Sequence, residues 1–321
     1  MADTVYQKYK IVDAHCDTIL KIAEGQGNIS LENVDGHLDI RRMIESGVNT
    51  QFFALYIEPR YKPCEALERT LVLLDHIYDQ LSKNSANIEL VRNYSDIERI
   101  HKNNKIAVLL SIEGGEAIKE NTAFLRMFYH LGIRSMTLTW NQRNSIGSGV
   151  HEGSRGGLSK FGKTVVQEMN RLGMLVDVSH LNYEGFWDVI EYSKKPIIAS
   201  HSNAKSLCDT PRNLDDKQIK AMAEKDGVIC CTFVPDFLVK NTQANLSHVI
   251  DHISYMKNLV GINHIGLGSD FDGTDKMPEG LEDVGKYQSL ITTLHARGYK
   301  DGQIEKIMGG NILRLLKNVI I

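Results

Sequence analysis

Apolar, β-branched-rich runs recur along the chain near residues 10–14, 50–57, 106–112, 134–139, 174–179, 196–200, 227–233 and 263–268. Between most of them the apolar positions repeat at helical spacing. Leu67, Leu71, Leu74, Ile77, Tyr78 and Leu81 mark a helix over 65–81, and Phe161, Val165, Met169 and Leu172 mark another over 158–172. The same pattern returns at Val249, Ile253, Met256 and Val260, and at Ile304, Ile307, Ile312 and Leu315. Gly132, Gly173 and Gly261 each stand between a helical segment and a strand, where a left-handed cap is expected. Strand–helix alternation with eight strands predicts an α/β fold, a (β/α)8 TIM barrel. An open doubly wound sheet is the competitor, but no Gly-x-Gly-x-x-Gly follows any expected strand. No linker, internal repeat or low-complexity tract divides the chain, so residues 1–321 are expected to form one catalytic domain.

Five of the runs end in chemistry-bearing residues: Asp13-Ala14-His15-Cys16-Asp17, Ser111-Ile112-Glu113, Asp177-Val178-Ser179-His180, Ala199-Ser200-His201 and Gly268-Ser269-Asp270. Polar groups at the ends of several parallel strands are how a barrel builds an active site. Imidazoles with carboxylates suit a divalent cation such as zinc. His15 and Asp17 are two apart, which in an extended chain puts both on one face. Read alone, the pair is also explained by a buried histidine and an N-cap aspartate. Glu113 closes an unbroken apolar run, where a carboxylate is costly unless paired or metal-bound. Its alternative is a helix N-terminal glutamate. The following Gly114-Gly115 would let another group approach closely. His180 and His201 end consecutive strands, which lie about 5 Å apart, close enough to share one ion.

These are five ligands from four strands, more than one four-coordinate zinc needs. Two zinc ions per chain use them all: His15, Asp17 and Glu113 on one, Glu113, His180 and His201 on the other, with Glu113 bridging. Two ions about 3.5–4 Å apart can hold a bridging hydroxide and polarise a substrate carbonyl. Asp270 is then placed as the catalytic acid–base that moves a proton from water to a leaving amine. Asp272 is its rival, although a turn ending at Gly273 also explains that residue.

Composition narrows the partners. Lys+Arg 37 against Asp+Glu 40 gives a net charge of -3, with no basic footprint for nucleic acid and no polybasic membrane patch. Met1 to Tyr6 shows no signal-peptide pattern, and no run approaches the about 18 apolar residues of a membrane span. The 5 Cys are scattered, so a disulfide framework is not expected and a reducing cytoplasm is the simplest setting. Asn93-Tyr94-Ser95 and Asn245-Leu246-Ser247 match the glycosylation sequon, by chance if the chain is not secreted. The glycine-rich stretch Gly147 to Gly157 follows the fourth expected strand and reads either as an ordinary loop or as a lid.

With these residues in place the chain resembles the membrane (renal-type) dipeptidases, peptidase family M19, among the amidohydrolase-like barrels. The resemblance runs nearly end to end. It rests on Asp13-Ala14-His15-Cys16-Asp17, Glu113-Gly114-Gly115, Val176-Asp177-Val178-Ser179-His180, Ser200-His201-Ser202, Pro211-Arg212-Asn213 and Gly268-Ser269-Asp270-Phe271-Asp272-Gly273. It implies a binuclear zinc dipeptidase with His15, Asp17, Glu113, His180 and His201 as ligands. It also implies Asp270 beside the water and Arg212 on the substrate, where a guanidinium suits a C-terminal carboxylate. Mammalian members carry a substrate-contacting histidine after the fourth strand. Here Trp140 takes that place, in Met136-Thr137-Leu138-Thr139-Trp140-Asn141, as in a bacterial branch of the family. Their secretion and lipid anchoring are not carried over. The expected substrates are dipeptides, with L-D dipeptides and a homodimer left open. The rivals are another barrel hydrolase, such as an N-acyl amino acid deacetylase or lactamase-type amidase, and an inactive barrel serving as a scaffold.

Overall fold

The computed structural model describes residues 8–30, 36–153 and 156–321. Its strands are β1 (Ile11–Asp13), β2 (Val48–Tyr56), β3 (Ile88–Leu90), β4 (Ile106–Glu113), β5 (Ile133–Thr137), β6 (Leu175–Asp177), β7 (Ile198–Ala199), β8 (Val228–Cys231) and β9 (Ile265–Leu267). All pairings are parallel. β9 pairs with β1 and β2 pairs with β4, so the sheet closes and the open-sheet competitor is excluded. The expected (β/α)8 barrel is formed, and each of the eight expected runs supplies one of its strands.

β3 is the strand that the pattern did not predict. It is three residues, Ile88-Glu89-Leu90, too short to show alternation. It borrows a free edge: β4 pairs with β2 along 107–113, while its other edge takes β3 at 106–108 and β5 from Leu110 onward.

Strand parity sorts the apolar residues into two layers. Ala107 and Leu109 of β4 pack in an inner cluster with Val12, Phe52, Leu175, Ile198 and Val228, closed from one end by Ile312, Leu315 and Leu316. Val108, Leu110 and Ile112 face the surrounding helices. Glu113 has the parity of Ala107 and Leu109, so the register that fills the barrel also turns this carboxylate inward at the strand's end.

The expected helices are found at Ala66–Lys83, Lys160–Leu172 and Leu246–Val260. The last periodic segment is not one α-helix. Asp301–Glu305 and Asn311–Val319 are joined by a π-turn over Lys306–Gly310. The five-residue step from Ile307 to Ile312 falls on that turn, which keeps both on the buried face. At Gly309 a side chain would collide with the Lys10 carbonyl and Val12, so this glycine lets the segment lie against β1. Gly173 takes the expected left-handed cap, whereas Gly261, at φ 81 and ψ 175, leaves its helix in an extended direction. Both sequon asparagines are helix N-caps: Asn93 Oδ1 accepts from the Asp96 N–H, and Asn245 Oδ1 from the Ser247 and His248 N–H groups.

All five cysteines are free, four of them buried and Cys64 exposed. No helix among the described residues is long and apolar enough to cross a membrane.

Candidate metal centre

The strand ends bring His15, Asp17, Glu113, His180, His201 and Asp270 together. Glu113 is the last residue of β4, and the others follow the ends of β1, β6, β7 and β9 within four residues. His15 Nε2 lies 3.6 Å from Asp17 Oδ2, 3.5 Å from Glu113 Oε2 and 3.7 Å from Asp270 Oδ1. The other oxygen of Glu113, Oε1, lies 3.0 Å from His180 Nε2 and 3.6 Å from His201 Nε2. One carboxylate therefore faces two groups of donors, one with each oxygen.

Asp17 does stand at the N-cap of the helix Thr18–Ala23, but its side chain caps nothing and turns to His15 instead. The chain has already left β1 there, so an irregular turn, held by the Asp17 N–H to the Phe271 carbonyl at 2.8 Å, brings the pair together. His180 and Asp270 both sit at positive φ, 64° and 66°. That conformation is costly for a side-chain-bearing residue and recurs at functional sites. At Gly273 a side chain would fall onto Asp17 Oδ2 and Asp270 Oδ1, so glycine keeps this edge of the site open. The absent side chain of Gly115 is replaced by Ile146 and the Leu138 carbonyl, so the close approach after Glu113 serves packing and not a ligand.

Burial sets these groups against one another. It pushes the Asp17 carboxyl up to about 8, with the Glu113 charge adding to the effect. Burial also raises Asp270, with His15 and Arg212 pulling against it. Glu113 resists burial because His15 and His180 hold it well below the usual carboxylate range. Burial works to lower His15, but Glu113 and Asp17 outweigh it and raise this imidazole well above its ordinary range. Burial, followed by Arg212, takes His180 down to about 3. His201 is lowered in the same way, by burial and then His15.

A divalent cation fits this set. His15 Nε2 and Asp17 Oδ1 are buried without a hydrogen-bond partner among the described residues. His180 Nε2 and His201 Nε2 are 2.8 Å apart. Their Nδ1 atoms are engaged elsewhere, with Asn141 Oδ1 at 2.7 Å and Ser200 Oγ at 2.8 Å, which leaves two Nε2 lone pairs facing each other. Among the described residues, His15, Glu113 and His201 form one group of ligand atoms within 4.8 Å of one another, and His15, Asp17 and Asp270 form a second.

These shifts give a pH signature for the metal-free protein. His15 and Asp17 hold their protons to higher pH when folded than in the unfolded chain, where they titrate near 6.5 and 3.8. Between about pH 7 and 8 this excess of bound protons in the native state dominates. Stability should fall as pH rises, by at most about 1.4 kcal/mol per unit for each such group. His180, His201, His37, His101 and His252, all lowered by burial, act in the opposite sense near pH 6.5, where unfolded imidazoles are half protonated, and this opposition fades as the pH climbs toward about 7.5. Urea unfolding of chelated protein at the two ends of the window checks this, and a flat or rising trend refutes it.

Around the centre lies a cleft of about 300 Å³ lined by Asp17, Tyr56, Glu113, Trp140, His180 and Asp270, among others. Trp140 is half-buried, its ring 5.8 Å from that of His180 and 5.1 Å from that of Tyr56. Behind them is Lys62, its Nζ 5.1 Å from the Trp140 centroid and 3.2 Å from Glu116 Oε1. A second cavity of about 290 Å³ meets the cleft at His180 and is lined by Arg212, Val150, Leu181 and Gln218. Arg212 is 3% exposed, so a surface salt bridge does not describe it. Its Nη2 donates to the His201 carbonyl at 3.0 Å, and its Nε has no partner among the described residues. Burial lowers its pKa to about 10, with Asp270 and Glu113 opposing, so it remains a cation at neutral pH.

Asp272 is committed elsewhere. Its carboxylate accepts from Thr18 Oγ1 at 2.6 Å and the His37 N–H at 2.8 Å, and pairs with Lys21 at 3.1 Å. The glycine-rich stretch is tied down in its first part: Val150 N–H donates to the His180 carbonyl and His151 N–H to the Asn141 carbonyl. Ser154 and Arg155, within this stretch read as either loop or lid, lie outside the described residues. Tyr56, Lys62 and Asn141 were not singled out by sequence. Only Asn141 carried a signal, standing next to Trp140 in the quoted strand-end motif.

The chain matches the family model for membrane dipeptidase, peptidase family M19, over residues 1–320. The chain belongs to this family. It is a metallo-dipeptidase. A dipeptidase of Schizosaccharomyces pombe, itself uncharacterized, is 34% identical over 98% of this chain and 82% of its own length. The crystal structure of a family M19 metallopeptidase, dipeptidase AC, superposes with a TM-score of 0.92 at 29% identity, covering 98% of this chain and 99% of the other. A metallopeptidase of Rhodobacter sphaeroides, solved with a phosphinate mimic of the dipeptide L-Ala-D-Ala, gives 0.91 at 28% identity over 97% and 99%. Metal dependence follows from the family and agrees with the orphaned donors at the strand ends.

Proposed function

We propose that residues 1–321 form one catalytic domain that hydrolyses dipeptides with two zinc ions. His15, Asp17 and Glu113 would hold one ion, and Glu113, His180 and His201 the other. The observation that carries this reading is the division of Glu113, with Oε2 toward His15 and Oε1 toward His180 and His201. When bound, the ions supply Lewis acidity and a water that ionises near neutral pH. Asp270, raised by burial and set at the edge of the cleft, takes up a proton and returns it to the departing amine. Arg212 holds the substrate's free carboxylate, its Nε–H having no partner among the described residues. Trp140 and Tyr56, which line the cleft, lie against the N-terminal residue of the substrate. The phosphinate complex of the Rhodobacter sphaeroides relative supports including L-D dipeptides among the substrates.

The test is a panel of L-L and L-D dipeptides, tripeptides, dipeptide amides and N-acetyl amino acids on zinc-reconstituted protein. Dipeptides should be cleaved, and tripeptides and dipeptide amides poorly. Arg212→Ala should mainly raise KM, because the anchor is equal in ground and transition states. Chelation should abolish activity and zinc should restore it. Dipeptide amides cleaved as well as free dipeptides would remove the carboxylate anchor and favour a deacetylase-like specificity.

A further inference from the structure

Two buried aspartates beneath the centre repeat one hydrogen-bond device. Asp177, at the end of β6, accepts from the Ser200 N–H at 3.0 Å with Oδ1 and from Ser200 Oγ at 2.6 Å with Oδ2. Asp13, at the end of β1, accepts from the Ser269 N–H at 2.8 Å with Oδ1 and from Ser269 Oγ at 2.6 Å with Oδ2. Each also receives an N–H two residues ahead in its own chain, from Ser179 at 3.0 Å and from His15 at 3.3 Å. Both aspartates are fully buried. In each case the clamped serine lies at the end of a neighbouring strand and directly precedes a residue that reaches the centre, His201 or Asp270.

The protons can be followed through the first clamp. Asp177 also accepts from Thr137 Oγ1 at 2.6 Å, so its carboxylate faces four donors. The Ser200 hydroxyl proton is committed to it. Ser200 Oγ can then only accept from His201 Nδ1, 2.8 Å away, which must carry the proton. His201 is left with its lone pair on Nε2, the atom facing Glu113 and His180. Partners of this kind fix the tautomer and orientation of a ligating imidazole. The second clamp contains no imidazole. It holds the backbone on either side of the centre: Ser269 Oγ accepts from the Phe271 N–H at 3.2 Å and the Asp270 N–H donates to the His15 carbonyl at 3.2 Å. These bonds bracket Asp270 in its positive-φ conformation.

We infer that Asp177 and Asp13 are positioning residues. Asp177 fixes the His201 tautomer through Ser200, and Asp13 fixes the placement of Asp270 through Ser269. The inference rests on the proposed metal centre, but its first readout needs no metal. Full-length protein carrying Ser200→Ala, Asp177→Asn, Ser269→Ala or Asp13→Asn would be prepared with ¹⁵N-labelled histidine. Ring-nitrogen spectra of the chelated proteins report the His201 tautomer, and chelator competition reports zinc affinity. Turnover is read at saturating zinc.

In Ser200→Ala and Asp177→Asn, His201 should leave the pure Nδ1–H form, and zinc affinity should fall about 10–100-fold, with turnover largely recovered by excess zinc. In Ser269→Ala and Asp13→Asn, the His201 signal should be unchanged, while turnover at saturating zinc falls about tenfold or more. An unchanged His201 tautomer in the first pair overturns the role of Asp177. Unchanged turnover in the second overturns that of Asp13. If the aspartate variants do not fold, the serine variants, which remove one hydroxyl each, decide the matter alone. If wild-type protein binds no zinc, the metal reading fails, and the spectra still decide the first clamp.

Discussion

Asp270→Asn is expected to lower kcat by about 10²–10⁴-fold, the usual cost of losing a general acid–base group. The side chain lines the cleft, and its Oδ1 is 3.7 Å from His15 Nε2. Burial raises its pKa, which moves a carboxylate toward the range where it can both take and give a proton near neutrality. The amide keeps the shape and removes that capacity. Zinc content should stay nearly unchanged, which separates a proton carrier from a ligand. This distinction matters because Asp270 also falls within ligand distance of His15 and Asp17. Loss of about one ion together with turnover would make it a ligand. Near-normal turnover would transfer the proton step to solvent, since Asp272 is held by Thr18, His37 and Lys21.

The parts of this molecule that could be read from the sequence are those where one periodicity dominates. All eight barrel strands carry enough apolar residues to stand out, and each proposed ligand ends one or follows it within four residues, so strand order predicts their meeting. β3 escaped because its stability comes from the unpaired edge of β4 and not from its own composition. The π-turn escaped because a five-residue step looks like a slip in a helical pattern until the packing of Gly309 against β1 accounts for it. At the site, Asp13 and Asp177 were visible within the quoted motifs, but their partners Ser269 and Ser200 lie 256 and 23 residues away. Lys62 and Tyr56 reach the cleft wall from β2 and the loop that follows it. No local pattern marks a lysine as one that will stack behind a tryptophan 78 residues later, at 5.1 Å. Arg212 was read from its resemblance motif. Its near-complete burial, which raises the energetic stakes of its unpartnered Nε, appears only in three dimensions.

Glu113→Gln is expected to weaken both metal sites together, by more than the about 10–100-fold typical of losing an outer partner of a ligand. The reason is the position of its two oxygens, one toward His15 and one toward His180 and His201. A neutral amide cannot balance two cations, and its NH2 group would point a donor at one of them. Turnover at stoichiometric zinc should be lost with the metal. The same substitution should alter the metal-free protein in a second, independent way. After burial, the Glu113 charge is the leading cause that raises Asp17, and it is the chief force holding His15 protonated. Without it both groups should release their protons at lower pH. The fall in stability expected between about pH 7 and 8 should therefore flatten. Metal analysis after gel filtration and urea unfolding at two pH values read these effects separately. Two ions retained at near-native affinity would exclude Glu113 as the bridge. One ion retained would confine it to a single site, and an unchanged pH slope would show that His15 and Asp17 owe their protons to some other charge.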